Sequence, residues 1–211
     1  MGFEKTDLKL LYKYAKNCNF IIETGGGGQS TIFLQKAAVH KKARFISIEL
    51  DRKAIKKKIK GVKYWFGWSI SYNDIIKKGH RDFIDYPLKK SKKTRKFHRG
   101  HYDFPDREIA CKKNEEIMKG KKDLIRKAIF SSDISLDFFF CDSGEYCGIA
   151  EWNIVNSLIA INGYFAAHDI YYPKSIKCFK VLKKIEKNNN WKILEKTKTK
   201  QGLVIAQKIK D

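Results

Sequence analysis

Apolar residues along this chain follow two rhythms that alternate: a helical spacing of three to four, and short unbroken runs. Leu8, Leu11, Tyr12 and Ala15 fall on one face of a first helix, with Thr6 and Asp7 as candidate caps. Residues 19–24 (NFIIET) then read as a short buried strand running into four glycines, Gly25 to Gly28. The helical spacing resumes over 29–41, where Ile32, Phe33, Leu34, Ala37 and Ala38 are apolar. Residues 44–50 predict a second strand, followed by a lysine-rich helix from Asp51, a third strand over 62–68 and a helix over 72–83. From about Asp85 to Glu115 the periodicity fails, and Pro87 and Pro105 fall there, so the stretch reads as an insertion. It returns with a helix over 116–130 and an apolar strand over 136–141 (LDFFFC) that ends at Asp142. A helix over 149–161 is stopped by Asn162-Gly163, and a strand over 164–167 ends at His168-Asp169. Pro173 starts a helix reaching Asn188, and residues 191–197 and 202–207 predict a hairpin.

Strands alternating with helices predict an α/β fold: a doubly wound parallel sheet with helices on both faces and right-handed crossovers. The hairpin, lacking an intervening helix, adds an antiparallel last strand and brings the expected total to seven. Residues 1–211 are expected to form a single domain, with residues 85–115 inserted after the third strand-helix unit.

Composition narrows the class. At 211 residues with 43% hydrophobic and 32% charged positions, the chain can build one real core and is no disordered tail. No apolar run approaches the roughly 20 residues of a bilayer span, and residues 1–16 lack a signal-peptide core. Cys18, Cys111, Cys141, Cys147 and Cys178 are odd in number and widely spaced, without a CxxC. A reduced, cytoplasmic chain is therefore expected rather than a disulfide scaffold or zinc site.

The net charge of +22 raises nucleic acid as a partner, above all through the run from Lys89 to Arg99, with His98 and His101 alongside. The excess is nearly all lysine, in a chain also rich in asparagine and isoleucine, which an AT-rich genome produces without selection for binding. Base readout favours arginine.

In doubly wound sheets ligands bind beyond the carboxyl ends of the strands, where strand order reverses. The polar residues expected there are Glu23 with the glycines, Glu49, Trp68-Ser69, Asp142 with Ser143, Gly144 and Glu145, and His168-Asp169. A glycine turn between a strand and a helix lets a ligand approach the backbone beside a helix N-terminus. Glu49, 24 positions after Gly25, can accept hydrogen bonds from both hydroxyls of a ribose. Ser30 stands where a dinucleotide fingerprint wants its third glycine. The missing glycine weakens a nicotinamide or flavin dinucleotide without excluding it, and S-adenosylmethionine is the alternative.

These residues carry a resemblance. Ile22-Glu23-Thr24-Gly25-Gly26-Gly27-Gly28-Gln29-Ser30-Thr31 resembles the first motif of class I S-adenosylmethionine-dependent methyltransferases, and Ile48-Glu49-Leu50-Asp51 is similar to the second. Phe139-Phe140-Cys141-Asp142-Ser143 resembles the fourth-strand motif. The segment from Asn162 to Ile170 resembles a stretch of the small O-methyltransferases, the catechol and caffeoyl-CoA type and the antibiotic and sugar tailoring enzymes. The resemblance implies a Rossmann-like fold, S-adenosylmethionine held by Glu23, Gly25, Gly27, Ser30, Glu49, Trp68 and Asp142, and a small-molecule or glycan hydroxyl as acceptor. Trp68 stands where these families often place an Asp near adenine; it can stack on the base or pack in the core.

In the metal-dependent members three ligands come from two strand ends. Here the matching positions are Asp142, His168 and Asp169, which implies Mg²⁺ or Mn²⁺, although imidazole suits transition metals better than Mg²⁺. Without a metal, His168 is the natural general base and Asp142 its companion. A third reading makes His168 a hydrogen-bonded strand end, with Asp169 capping the next turn. Glu145 and Tyr146 are candidate acceptor-pocket residues. Asp142-Ser143-Gly144-Glu145 does not match the adenine-amino motif, and no proline precedes a cysteine as in cytosine C5 enzymes. An RNA-directed enzyme docking through the basic insertion, and a non-catalytic basic module on the same fold, remain the alternatives.

Overall fold

Three consecutive phenylalanines in one strand require apolar cover on both sides. In the computed structural model β4 (Leu136–Cys141) receives it. Phe138 and Phe140 pack in the cluster that includes Leu11, Ala15, Leu34 and Ala37 of α1 (Lys5–Ala15) and α2 (Gln29–Lys41). Phe139 points to the opposite cluster, with α3 (Leu124–Phe130), α4 (Cys147–Leu158) and α5 (Phe179–Glu186). The described residues are 3–50, 52–55, 57–71, 74, 121–143, 147–171 and 178–211. The helix expected over 72–83 (apart from Asp74), the insertion at 85–115 with its basic run, and Gly144, Glu145 and Tyr146 lie outside them.

The other strands are β1 (Phe20–Thr24), β2 (Arg44–Glu49), β3 (Lys63–Phe66), β5 (Ile159–His168), β6 (Trp191–Lys196) and β7 (Leu203–Lys208). They form one seven-stranded sheet in the order β3-β2-β1-β4-β5-β7-β6. Neighbours from β3 through β5 pair in parallel, and β7 lies antiparallel to both β5 and β6. The doubly wound fold with an antiparallel last strand is thus as expected. Strand order reverses between β1 and β4, so the crevice above Thr24 and Cys141 is where a ligand site belongs.

Local differences have physical reasons. Helix α1 starts at Lys5 after Glu4 with no side-chain cap; Asp7 lies inside the first turn, buried, and accepts from Thr199 Oγ1 at 2.9 Å. After β2 only a short 3₁₀ turn, Arg52–Ala54, stands where a lysine-rich helix was expected. Strand β3 ends at Phe66 because Gly67 turns the chain with φ of +150°. Of the helix expected over 116–130, residues 116–120 lie outside the described residues, and α3 begins at Leu124 after Asp123, whose φ is +59°. Helix α4 stops at Leu158 and β5 begins at Ile159, earlier than the Asn162-Gly163 signal. There Lys208 Nζ, almost fully buried, donates to the carbonyls of Ser157 and Ile159 at 3.4 and 3.0 Å, taking over orphan acceptors at the helix end. Residues 160–163 then bulge from the ladder, since Ile159 pairs with Leu136 and Tyr164 with Phe138. Among the described residues no helix is long and apolar enough to cross a membrane, and Cys18, Cys141, Cys147 and Cys178 are buried and form no disulfide with one another.

The entry to β1 rests on Asp137, whose Oδ2 and Oδ1 accept the backbone N–H groups of Asn19 and Phe20 at 2.7 and 2.8 Å. Asp137→Ala leaves both donors unpaired and is expected to cost about 2 kcal/mol, read as a lower urea midpoint with an unchanged m-value.

Candidate active site

The turn after β1 is built of glycine for steric reasons that can be named. Gly25 has φ of +74°, and a Cβ there would collide with the Asp142 carbonyl. The Gly25 amide donates to Ile48 O at 3.0 Å and the Asp142 amide to Thr24 O at 3.2 Å, locking the turn between β2 and β4. Gly27 has φ of +97°, and its amide donates to Thr31 Oγ1 at 2.8 Å. Gly28 caps α2 without a side-chain bond, and a Cβ added there would meet nothing within 4 Å. The open side of the turn therefore lies at the N-terminus of α2, where helix N–H groups favour anionic or polar ligand atoms.

Glu23 stands behind this turn, without exposure to solvent. Its Oε1 accepts from Ser30 Oγ at 2.6 Å, and its Oε2 from Thr31 Oγ1 at 2.7 Å and Ser47 Oγ at 3.2 Å. Glu23 and Ser30 thus serve the turn from within, tying β1 to the first turn of α2 and to β2. Ser47, directly opposite Glu23 in the β1–β2 ladder, is the one polar side chain inside an otherwise apolar stretch of β2, a signal readable once the register is known. Glu49 is partly exposed at the end of β2, where its Oε1 accepts from the Leu50 amide at 2.7 Å.

Asp142, His168 and Asp169 converge. One ligand atom from each lies within 4.8 Å of the others. His168 Nδ1 is 3.7 Å from Asp142 Oδ1 and 3.5 Å from Asp169 Oδ1, ion-pair distances longer than a hydrogen bond. His168 and Asp169 are buried and Asp142 is nearly so. Asp169 adopts φ of +63°, unusual for a residue with a side chain. Its Oδ1 also accepts from Gln201 Nε2 at 2.5 Å, and the ring of Phe3 stacks on His168 with centroids 4.0 Å apart. Two carboxylates and an imidazole this close form a donor set for a divalent cation or, without one, flank an imidazole that takes up a proton. Neither Phe3 nor Gln201 carried a sequence signal, because both act through tertiary contacts.

On the opposite face of β1, Glu151 of α4 is fully buried. Its Oε2 accepts from Thr24 Oγ1 at 2.8 Å and Cys141 Sγ at 3.2 Å. Burial raises its carboxyl above the usual range, against neighbouring hydroxyls that lower it. Its spacing with Cys147, Ile154 and Val155 puts it on the apolar stripe of the helix, which in the sequence is the sign of a partnered core carboxyl. Trp68 packs in the core on this same side, only 7% exposed, and its indole N–H has no hydrogen-bond partner among the described residues.

Burial pushes the Glu23 carboxyl up to about 7; Ser30, Thr31 and Ser47 pull it down, and the Asp142 charge adds to the rise. The folded state keeps this proton to higher pH than the unfolded chain, where the group titrates near 4.5. Its contribution to stability is full at low pH, fades as pH rises past 4.5 and is gone above about 7. Between pH 5 and pH 8 the native protein is expected to lose about 2 kcal/mol that Glu23→Gln does not lose, measured by urea titration of both proteins.

No family model matches the sequence, and no curated protein matches it either. Solved structures do resemble the fold. An O-methyltransferase from Bacillus cereus, in complex with S-adenosylhomocysteine, superposes with a TM-score of 0.58 at 14% identity, covering 98% of this chain and 82% of that one. The O-methyltransferase TomG from Streptomyces achromogenes, involved in tomaymycin synthesis and bound to S-adenosylmethionine, gives 0.58 at 14%, covering 99% and 82%. The Podospora anserina methyltransferase PaMTH1, with S-adenosylhomocysteine, gives 0.52 at 12%, covering 99% and 80%. At these identities the likeness is one of architecture: the chain has the Rossmann-like fold of class I O-methyltransferases.

Proposed function

We propose that this protein is an S-adenosylmethionine-dependent methyltransferase acting on a hydroxyl of a small molecule or sugar. One observation carries the reading: the glycine turn and the Asp142–His168–Asp169 cluster are contiguous, since Gly25 packs directly on the Asp142 backbone. A cofactor lying along the turn would reach the cluster without any rearrangement of the sheet.

In this reading the cofactor supplies an electrophilic methyl group on a sulfonium, which leaves as a neutral thioether. The open side of the turn at Gly28 lets its chain approach the backbone, and the Glu49 carboxylate accepts from the ribose hydroxyls. Trp68 belongs to the core floor on this side rather than standing free as a stacking platform. His168 Nδ1 takes the acceptor's proton as the oxygen–methyl bond forms, and Asp142 and Asp169 stabilise the resulting imidazolium. A divalent cation suits the same donors; Asp142, His168 and Asp169 would hold it, and it would supply a lowered hydroxyl pKa at the acceptor. The carboxylate pair suits Mg²⁺ or Mn²⁺ and the imidazole favours the latter of the two.

Calorimetry with S-adenosylhomocysteine tests the cofactor assignment. Binding is expected in the wild type, and Glu49→Gln is expected to weaken it on the order of ten- to a hundred-fold. Absence of heat with the wild type would remove the proposal. Methyl transfer that persists undiminished in excess chelator would remove the cation while leaving the transferase.

A further inference from the structure

Two contacts reach the His168–Asp169 pair from outside the strand ends, and they come from parts of the chain far apart in sequence. Phe3, just before α1, lays its ring against His168 with centroids 4.0 Å apart and an interplanar angle of 28°. Gln201, in the turn between β6 and β7, donates its amide to the Asp169 oxygen that also faces His168 Nδ1. We infer that Phe3 and Gln201 are positioning residues: together they fix the ring plane of His168 and the carboxylate orientation of Asp169. What the pair is positioned to do rests on the proposed transferase function; the positioning itself does not.

The need for such an outer layer follows from the backbone. Asp169 has left the strand in a left-handed conformation, which is strained for a residue with a Cβ and persists only where surroundings impose it. Its amide donates to Gly202 O at 3.1 Å and its carbonyl accepts from the Cys178 amide at 3.3 Å. These bonds hold the main chain, and Gln201 holds the side chain. His168 pairs with Leu203 through the ladder, which fixes its Cα and leaves the ring plane to be set by its neighbours. The faces of an imidazole offer no hydrogen bond, so a stacked aromatic ring is the contact suited to fixing that plane.

The two contributors are also bolted to one another. Thr199 Oγ1 donates to Asp7 Oδ2 at 2.9 Å, and the Lys200 amide donates to Glu4 Oε1 at 2.8 Å. Tyr171, two residues beyond Asp169, closes the loop by donating its hydroxyl to Thr197 O at 2.6 Å. The start of α1 and the β6–β7 turn therefore act on the pair as one unit.

The chemistry of position 201 points the same way. Lys196, Lys198 and Lys200 precede it, all exposed, yet the side chain that reaches Asp169 is a neutral amide. A lysine there would place an ammonium against Asp169 and cancel the charge with which it acts on His168 or a cation. An amide orients the carboxylate and leaves that charge intact.

Nitrogen-15-labelled histidine gives a direct readout, the His168 resonances being assigned by their loss in His168→Asn. Gln201→Ala is expected to shift the His168 ring nitrogens toward averaged tautomers. Phe3→Leu is expected to abolish the ring-current displacement of the His168 carbon-bound protons, and Phe3→Tyr to retain it. Affinity for S-adenosylhomocysteine should stay within about threefold of wild type in the Phe3 and Gln201 variants. Unchanged His168 resonances in both Gln201→Ala and Phe3→Leu would overturn the inference. So would Phe3→Tyr behaving as Phe3→Leu with an equal loss of thermal stability, which marks a merely structural contact. A wild type that shows the expected shifts but binds no S-adenosylhomocysteine would instead sink the transferase reading and leave the positioning intact.

Discussion

A carboxyl group removed from water sets the geometry of this molecule. Glu23 sits under the glycine turn and gathers the hydroxyls of Ser30, Thr31 and Ser47 around it. Those three side chains belong to the first turn of α2 and the middle of β2, so one acid joins the strand before the turn, the helix after it and the neighbouring strand. A buried polar group left unpaired is costly, and satisfying this one fixes where each donor can stand. The turn is thereby shaped from behind, which leaves its front open at Gly28, at the N-terminus of α2. Gly25 completes the arrangement by pressing the turn onto Asp142, so that the support at β1 also sets the position of the β4 strand end.

The same edge reverses the electrostatic character of the chain. A protein with a formal charge of +22 gathers Glu23, Glu49, Asp142, Glu151 and Asp169 at or just beneath the carboxyl ends of its strands. Glu23 and Glu151 lie on opposite faces of β1, and burial is the chief cause that raises both carboxyls above the usual range. Asp142 and Asp169 face the imidazole instead. Under the proposed function the methyl donor is itself a cation, and an acidic edge receives it better than the lysine-rich remainder would.

What could be read from sequence was what neighbouring residues decide among themselves. The bounds of α2 and β4 agree with the apolar pattern, and the strand-glycine-helix order placed the turn. Asp142, His168 and Asp169 were found because each ends a recognisable strand, and the fold brings strand ends together. The misjudged α4–β5 boundary depended on Lys208, some fifty positions away, whose ammonium takes the helix's last carbonyls. Glu151 was overlooked because a carboxylate on an apolar stripe looks like an error in the pattern until its donors, Thr24 and Cys141, are known. Thr6 and Asp7 look like caps by composition, but Asp7 is claimed by Thr199 across the fold. In each case a distant side chain outweighed the local preference.

The position of β7 has a consequence for how the molecule is made. It follows β6 in sequence yet lies between β5 and β6 in the sheet, so β6 has no partner until β7 has arrived. During synthesis the parallel strands and their helices can assemble first, leaving the far edge of β5 open as an unpaired ladder. Docking of the β6–β7 hairpin seals that edge, and the same event delivers Gln201 to Asp169. A chain arrested before this step would carry a formed glycine turn and an unset His168–Asp169 pair. The His168–Asp169 pair is thus set only when the hairpin docks, and an exposed β5 edge is the hazard the chain must survive to get there.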